Sequence, residues 1–215
     1  MTAADKATVL LTGASGLLGR QVIKSLCGRC GEILAVYHRN PGPEIEAVAW
    51  FQADLSKPEG LATFIEKNRP VLARVTHLVN CYGPLDCGDT LDLKGSDIVT
   101  AVSANLLPAV ELTRSLLFPG RLQCLLSIGF EGAGEIKAYR RILAYALAKN
   151  ALLLHHQSLA AARPDLRVYF LSPVNLVGAE CPRPGAGKMA PGKLAAEIVT
   201  LLFSNQPSAH LKLGW

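Results

Sequence analysis

No uninterrupted apolar run in this sequence approaches the ~18 residues that a membrane-spanning helix needs, so a conventional span is excluded. Charge is scarce. Asp, Glu, Lys and Arg make up 18% of the 215 residues, below the ~25% of an average domain. With apolar residues at 50%, the composition excludes intrinsic disorder, which requires low hydrophobicity and high charge. Aromatics are few, at 6%, and the net charge of +5 comes from scattered Lys and Arg. No basic block exists to mark a nucleic-acid module. Met1 to Lys6 lack the basic stretch and apolar core of a secretory leader. The expectation is a cytoplasmic globular protein, with either a large core or a surface partly covered in an oligomer.

Cysteines are present but follow no ligand pattern. Cys27 and Cys30 form a C-x-x-C, while Cys81, Cys87, Cys124 and Cys181 are widely scattered. A zinc site requires a second close pair or histidines at ligand spacing, and neither occurs. A redox-active C-x-x-C belongs at a helix start, where the dipole lowers a thiol pKa; this one falls at a helix end, flanked by Gly28 and Gly31. Reduced thiols and no metal are expected. His155 and His156 fall within a long helix and are expected to face a neighbouring helix or solvent.

Short apolar runs alternate with longer helical stretches from the start. Strands are predicted at Ala7 to Thr12, Glu32 to Tyr37, Val48 to Gln52, Thr76 to Asn80, Leu122 to Gly129, Arg167 to Leu171 and His210 to Gly214. Helices are predicted at Leu17 to Cys27, Pro58 to Asn68, Ile98 to Phe118, Ile142 to Ala162 and Lys193 to Phe203. This alternation specifies an α/β fold: a doubly wound parallel sheet of about seven strands with helices on both faces. Such a Rossmann-type sheet binds its ligands at the carboxyl ends of its strands. With no repeat and no linker, residues 1–215 are read as one domain, with a Pro- and Gly-rich substrate loop at about 173–193 that includes Pro182, Pro184, Gly185, Gly187 and Met189. The helix from Ile142 to Ala162 is apolar nearly all round, which predicts burial on both sides, one against the sheet and the other against a partner subunit.

Directly after the first strand stands Thr12-Gly13-Ala14-Ser15-Gly16-Leu17-Leu18-Gly19, opening into a helix. Gly13 permits the tight turn, Gly16 lets backbone amides approach a pyrophosphate, and Gly19 allows the helix to pack close. The phosphates would lie at the positive helix N-terminus. At the end of the second strand, where a carboxylate would take the ribose 2′-hydroxyl of NAD, the sequence has Tyr37-His38-Arg39-Asn40. Arg39 can pair with a 2′-phosphate instead, so NADP(H) is preferred over NAD(H). Tyr145 and Lys149, four residues apart on a helix, share one face. A lysine ammonium and a bound nicotinamide cation pull a tyrosine pKa down from near 10 toward useful acid/base strength.

The T-G-x-x-G-x-x-G loop, Asp54-Leu55 after the third strand, Asn80-Cys81-Tyr82-Gly83 after the fourth, Asn105, and Tyr145-x-x-x-Lys149 together resemble the short-chain dehydrogenase/reductase superfamily. The likeness covers about Thr8 to Leu213. It implies that Tyr145 is the acid/base, that Lys149 lowers its pKa and binds the ribose, and that Asn105 anchors a water leading to the lysine. It further implies that Asp54 bonds the adenine and that Asn80 supports the sheet. Tyr82 is bulkier than the family's usual residue. Ser172-Pro173-Val174-Asn175-Leu176-Val177 resembles the segment passing the nicotinamide, with Val174 where a glycine is usual and Val177 near the carboxamide. For the serine that orients a substrate carbonyl, one register selects Ser127, 18 residues before Tyr145 and farther than usual; a shifted register puts Phe130 there. Some relatives, such as dihydropteridine reductases, use no serine. Sugar-nucleotide members carry an extra C-terminal domain that this sequence lacks, so a small carbonyl or alcohol, such as a compact ring system, is the expected substrate. The implied protein is an NADP(H)-dependent oxidoreductase, a homodimer or homotetramer with no nucleic-acid or membrane partner. A non-redox enzyme on the same scaffold (dehydratase, epimerase or cyclase) and an NADP-sensing protein are the alternatives.

Overall fold

The computed structural model describes residues 7–178 and 187–214. Cys181, Pro182, Pro184 and Gly185 of the substrate loop, and Met1 to Lys6, lie outside the described residues. Seven parallel strands form one sheet in the order β3-β2-β1-β4-β5-β6-β9. They are β1 (Thr8–Thr12), β2 (Glu32–Tyr37), β3 (Val48–Gln52), β4 (His77–Asn80), β5 (Cys124–Ile128), β6 (Arg167–Pro173) and β9 (Ala209–Leu213). Their near-continuous apolar runs are what a sheet covered on both faces requires. The two-residue strands β7 (Asn175–Leu176) and β8 (Lys188–Met189) pair separately, inside the stretch predicted as loop.

The sheet parity sorts the core into two layers. Val9, Leu11, Ile33, Ala35, Val79 and Leu126 pack against α1 (Leu17–Leu26) and α7 (Pro191–Leu202). Leu10, Leu34, Val36, Leu78 and Leu125 point the other way, onto α2 (Pro58–Lys67), the single turn α3 (Arg69–Leu72) and α5 (Leu107–Leu117). In α1 the buried positions Leu18, Val22, Ile23 and Leu26 recur at helical spacing, and the helix gives way to Gly28 at φ +74°.

The predicted helix Ile98 to Phe118 is two helices. α4 (Gly95–Asn105) stops and α5 begins at Leu107, with Pro108 in the first turn of α5. A proline there lacks the amide that would continue the ladder, and its ring opposes the preceding turn. α6 (Leu143–Ala162) packs on β6 and on α4. Ala101 of α4 meets Ala144 and Ala148, so part of the side predicted to face a partner subunit is covered by the chain's own α4. Leu147 and Leu154 remain exposed on α6.

The expectation of reduced thiols throughout is corrected at one position: Cys87 is disulfide-bonded, whereas Cys27, Cys30, Cys81 and Cys124 are free. Among the described residues no helix is long and apolar enough to cross a membrane, and no cluster of three or more His, Cys, Asp or Glu is placed to hold a metal ion.

Candidate active site

The strand order reverses at β1, whose neighbours are β2 on one side and β4 on the other. A crevice opens at that point, at the carboxyl ends of the strands. The glycine loop forms one wall. Gly13 has φ +66°, and a Cβ on it would lie 2.8 Å from the Tyr82 amide nitrogen. A Cβ on Gly19 would lie 2.2 Å from the Gly13 carbonyl oxygen, so α1 can start this close to the turn only without a side chain. The first turn of α1 carries no acidic residue, and Gly16 supplies no side-chain cap. Its end amides and dipole therefore face the crevice. Ser15 does not line the crevice; its carbonyl accepts from Arg20 Nε at 2.7 Å.

The crevice has a volume of about 260 Å³. It runs from Gly13, Gly16, Leu17, Leu18 and Gly19, past Cys81 and Gly83, to Tyr145. Pro173, Val174, Asn175 and Leu176 form its opposite side. Val177 lies outside it, exposed, with its amide donating to the Met189 carbonyl at 2.9 Å, so that amide is already engaged in the β7–β8 pairing.

Tyr145 stands in the first turn of α6, and Lys149 one turn on places Nζ 5.6 Å from the phenol ring centroid. Lys149 is buried and donates to the Ile128 carbonyl at 2.9 Å. Burial pulls its pKa down to about 8. Asn105 ends α4 with Nδ2 donating to the carbonyls of Pro84 and Ala101, at 3.1 and 3.2 Å. Its Oδ1 is buried with no hydrogen-bond partner among the described residues. A Cβ on Gly83 would lie 2.5 Å from that oxygen and 2.6 Å from Lys149 Nζ. Gly83, which lines the crevice, therefore packs directly against the buried lysine ammonium and asparagine oxygen.

Ser127 is elsewhere. It has no exposed surface and does not line the crevice. Its Oγ accepts from Asn80 Nδ2 at 3.0 Å and meets His156 Nε2 at 2.9 Å, while Thr12 Oγ1 donates to Asn80 Oδ1 at 3.3 Å. These four buried side chains form one polar chain from β1 through β4 and β5 to α6. Side chains alternate across a strand, so the crevice-facing position is the next residue, Ile128. With Gly129 and Phe130 it makes an apolar wall, and the Phe130 ring sits edge-on to Tyr145 at 5.7 Å. The extra residues before Tyr145 fold onto the segment after β4: Gly88 and Thr90 donate to the carbonyls of Arg141 and Arg140.

Toward β2 and β3, Arg39 is exposed and borders an open groove with His38 and Asp54. Asp54 Oδ1 accepts from the Ser56 amide and hydroxyl, at 3.1 and 2.5 Å. Its Oδ2 lies 3.6 Å from His38 Nε2 and 3.7 Å from Lys57 Nζ. The Ser56 hydrogen bond is the main reason its carboxyl is held below the usual range. Leu55 is buried in the core, and Tyr82 packs against the same cluster.

A model of the NAD dependent epimerase/dehydratase family matches residues 9–116, half of the chain. The chain belongs to that family. Its fold is that of the short-chain dehydrogenases/reductases. The short chain dehydrogenase of Leptospira borgpetersenii, solved with bound NAD+, aligns with a TM-score of 0.82 at 18% identity, covering 96% of this chain and 91% of that one. A short-chain dehydrogenase from Streptomyces avermitilis aligns with a TM-score of 0.82 at 19% identity, covering 97% and 88%. A Burkholderia cenocepacia short chain dehydrogenase solved in complex with NADP aligns with a TM-score of 0.79 at 17% identity, covering 98% and 97%. No curated protein matches the chain.

Among the residues predicted for this epimerase/dehydratase-family site, the structure brings together the glycine loop, Gly83, Tyr145, Lys149 and the Asn105 oxygen. It holds Asn80 and Ser127 inside the sheet and keeps Arg39, Asp54, Leu55 and Tyr82 on the β2–β3 side. Leu85 and Ile142 line the crevice without having been singled out. Leu85 and Ile142 carry no chemical signature to announce them. His156, the partner of Ser127, stands seven residues after Lys149, a spacing that puts both on one helix face.

Proposed function

We propose that this protein is an NADP(H)-dependent oxidoreductase that interconverts a small carbonyl compound and its alcohol. The observation that carries the proposal is the convergence of Tyr145, Lys149 Nζ and Asn105 Oδ1 around Gly83, at the far end of a glycine-loop crevice. The residues fit a nicotinamide nucleotide: the turn at Gly13 and the start of α1 suit a pyrophosphate, and Pro173 to Leu176 flank the nicotinamide end. When bound, the nicotinamide supplies or accepts the hydride.

The protein's own contribution is proton handling. Tyr145 Oη gives its proton to the carbonyl oxygen, or takes one from the alcohol in reverse. The Lys149 ammonium lowers the cost of the phenolate. The Asn105 oxygen faces the lysine as an acceptor for a relay water. Arg39, in the Tyr37-His38-Arg39-Asn40 run that carries no carboxylate where one would take a ribose 2′-hydroxyl, supports the NADP(H) preference. The apolar wall of Ile128 and Phe130 supports a compact, flat substrate. The chain functions as a single domain. Exposed Val99, Leu147 and Leu154 on α4 and α6 support a homodimer or homotetramer, which a stable monomer in analytical ultracentrifugation would overturn.

The direct test titrates the protein with NADPH and NADH, followed by nicotinamide fluorescence. Saturable NADPH binding that weakens in Arg39→Ala, without loss of folding, is the expected result. Absence of binding by either nucleotide would remove the hydride chemistry. One observation favours a second reading, a dehydratase, epimerase or cyclase on this scaffold: no serine hydroxyl lines the crevice among the described residues. Substrate-dependent NADPH consumption separates the two.

A further inference from the structure

A carbonyl oxygen gathers negative charge as hydride arrives at its carbon. Two hydrogen-bond donors stabilise it best, one that gives up its proton and one that keeps it. Tyr145 is the first. Ser127, the residue singled out for the second, lies inside the sheet between Asn80 and His156. Two backbone amides of crevice-lining residues are engaged as well. Gly129 donates to the Leu171 carbonyl at 2.7 Å, and Val174 donates to the Leu213 carbonyl at 3.0 Å.

Among the described residues that line the crevice, only Cys81, Tyr145 and Asn175 carry a polar side chain. A thiol is a weak donor, which leaves Asn175. It opens β7 on the side of the crevice opposite the first turn of α6. Side chains alternate along an extended segment. Val174 and Leu176, on either side of Asn175, pack with the layer that holds α1 and α7. Asn175 is thereby turned the other way, toward the half of the crevice where α6 presents Tyr145. The β7–β8 pairing fixes this register, with Leu176 opposite the buried Met189 and Asn175 opposite Lys188. A carboxamide has two N–H bonds, so donation to a substrate is compatible with a second bond that holds the side chain in place.

We propose that Asn175 Nδ2 is the second donor to the substrate's carbonyl oxygen, and so takes the task for which the sequence suggested Ser127. As hydride from the reduced nicotinamide reaches the carbonyl carbon, the C=O π pair moves onto oxygen. Tyr145 gives that oxygen a proton, and Asn175 keeps its own. The two side chains bracket one accepting oxygen beside the apolar wall of Ile128 and Phe130. That combination suits an aryl aldehyde or ketone. The assignment rests on the nicotinamide reading above, and its test is arranged so that the two can fail separately.

Asn175→Ala and Asn175→Asp decide it, because an ionised aspartate keeps the shape of the side chain but has no N–H to donate. The full chain is titrated with NADPH, and its NADPH complex is then titrated with benzamide, an unreactive carbonyl analogue. Reduction of benzaldehyde is followed by NADPH absorbance. Both variants should bind NADPH within about twofold of wild type and benzamide about tenfold or more weaker. Their kcat/KM for benzaldehyde should fall about a hundredfold. Unchanged benzamide binding and turnover in either folded variant would overturn the proposal alone. So would a loss confined to NADPH binding, which would make Asn175 a holder of the nicotinamide. Should the alanine variant fail to fold, the aspartate variant decides by the same readings. A wild type that binds NADPH but neither binds benzamide nor reduces benzaldehyde would overturn the proposal and leave nucleotide binding standing. If the folded wild type binds neither NADPH nor NADH, the proposal and the nicotinamide reading fall together.

Discussion

The Ser127 hydroxyl lies between Asn80 and His156 with no exposed surface. Its removal leaves two buried polar groups short of a partner, a loss of about 1–3 kcal/mol. Ser127→Ala should therefore lower urea stability by that amount and leave turnover per folded molecule unchanged; a hundredfold fall in kcat would return the residue to the chemistry. Tyr145→Phe should do the reverse, abolishing turnover while stability and nucleotide binding persist. Lys149 couples both properties to pH. Its folded pKa of about 8 lies below the ordinary 10.5, so the unfolded chain binds more protons in between and stability rises with pH across that window. The ammonium that supports Tyr145 is lost over the same range. Between pH 8 and 10 the wild type should gain stability relative to Lys149→Met while its activity declines. Parallel denaturation and rate profiles would check both limbs.

At the scale of elements, the strand and helix positions were legible because apolar runs of strand length alternate with helical periods, as in Val9-Leu10-Leu11 followed by Leu18, Val22, Ile23 and Leu26. The glycine loop was legible for a different reason: three glycines between a strand and a helix state a steric requirement. Gly19→Ala tests it, since its Cβ would collide with the Gly13 carbonyl oxygen at 2.2 Å. That variant should lose nucleotide binding and melt several degrees lower, measured by titration and by circular dichroism. Ser127 was singled out from its position along β5 alone, and a strand turns successive side chains to opposite faces. The sequence left Ser127 and Phe130 as alternatives for that position, and which face each side chain takes follows only from the pairing of Ser127 with Asn80 across β4. The division of α4 from α5 was foreshadowed by Pro108 without being placed. Tyr82 was visible as a bulky departure, but its packing on the cluster with Leu55 and Phe64 depends on how the β3 and β4 loops meet in space.

Over the whole molecule, two buried histidines mark the acid limit. Burial drives His156 down to about 3 and His77 down to about 4. Both are neutral in the fold but take up protons when unfolded near pH 6.5. The unfolded chain therefore binds more protons as pH falls below 6.5, and stability drains away progressively toward the folded values. His156→Gln, which can still hydrogen-bond Ser127, should flatten that acid slope in urea denaturation; an unchanged slope would show that His156 does not carry it. The Thr12–Asn80–Ser127–His156 chain has a dynamic consequence as well. It joins the strand that precedes the glycine turn to the helix that bears Tyr145 and Lys149, and each link is buried. Lifting α6 away strips polar partners from β5 and exposes β4 in the same event, so partial opening has no cheap stopping point. In native-state deuterium exchange, the amides of β1, β4, β5 and α6 should then exchange with one shared opening free energy, as a single cooperative unit. The two ends of the crevice would appear and vanish together.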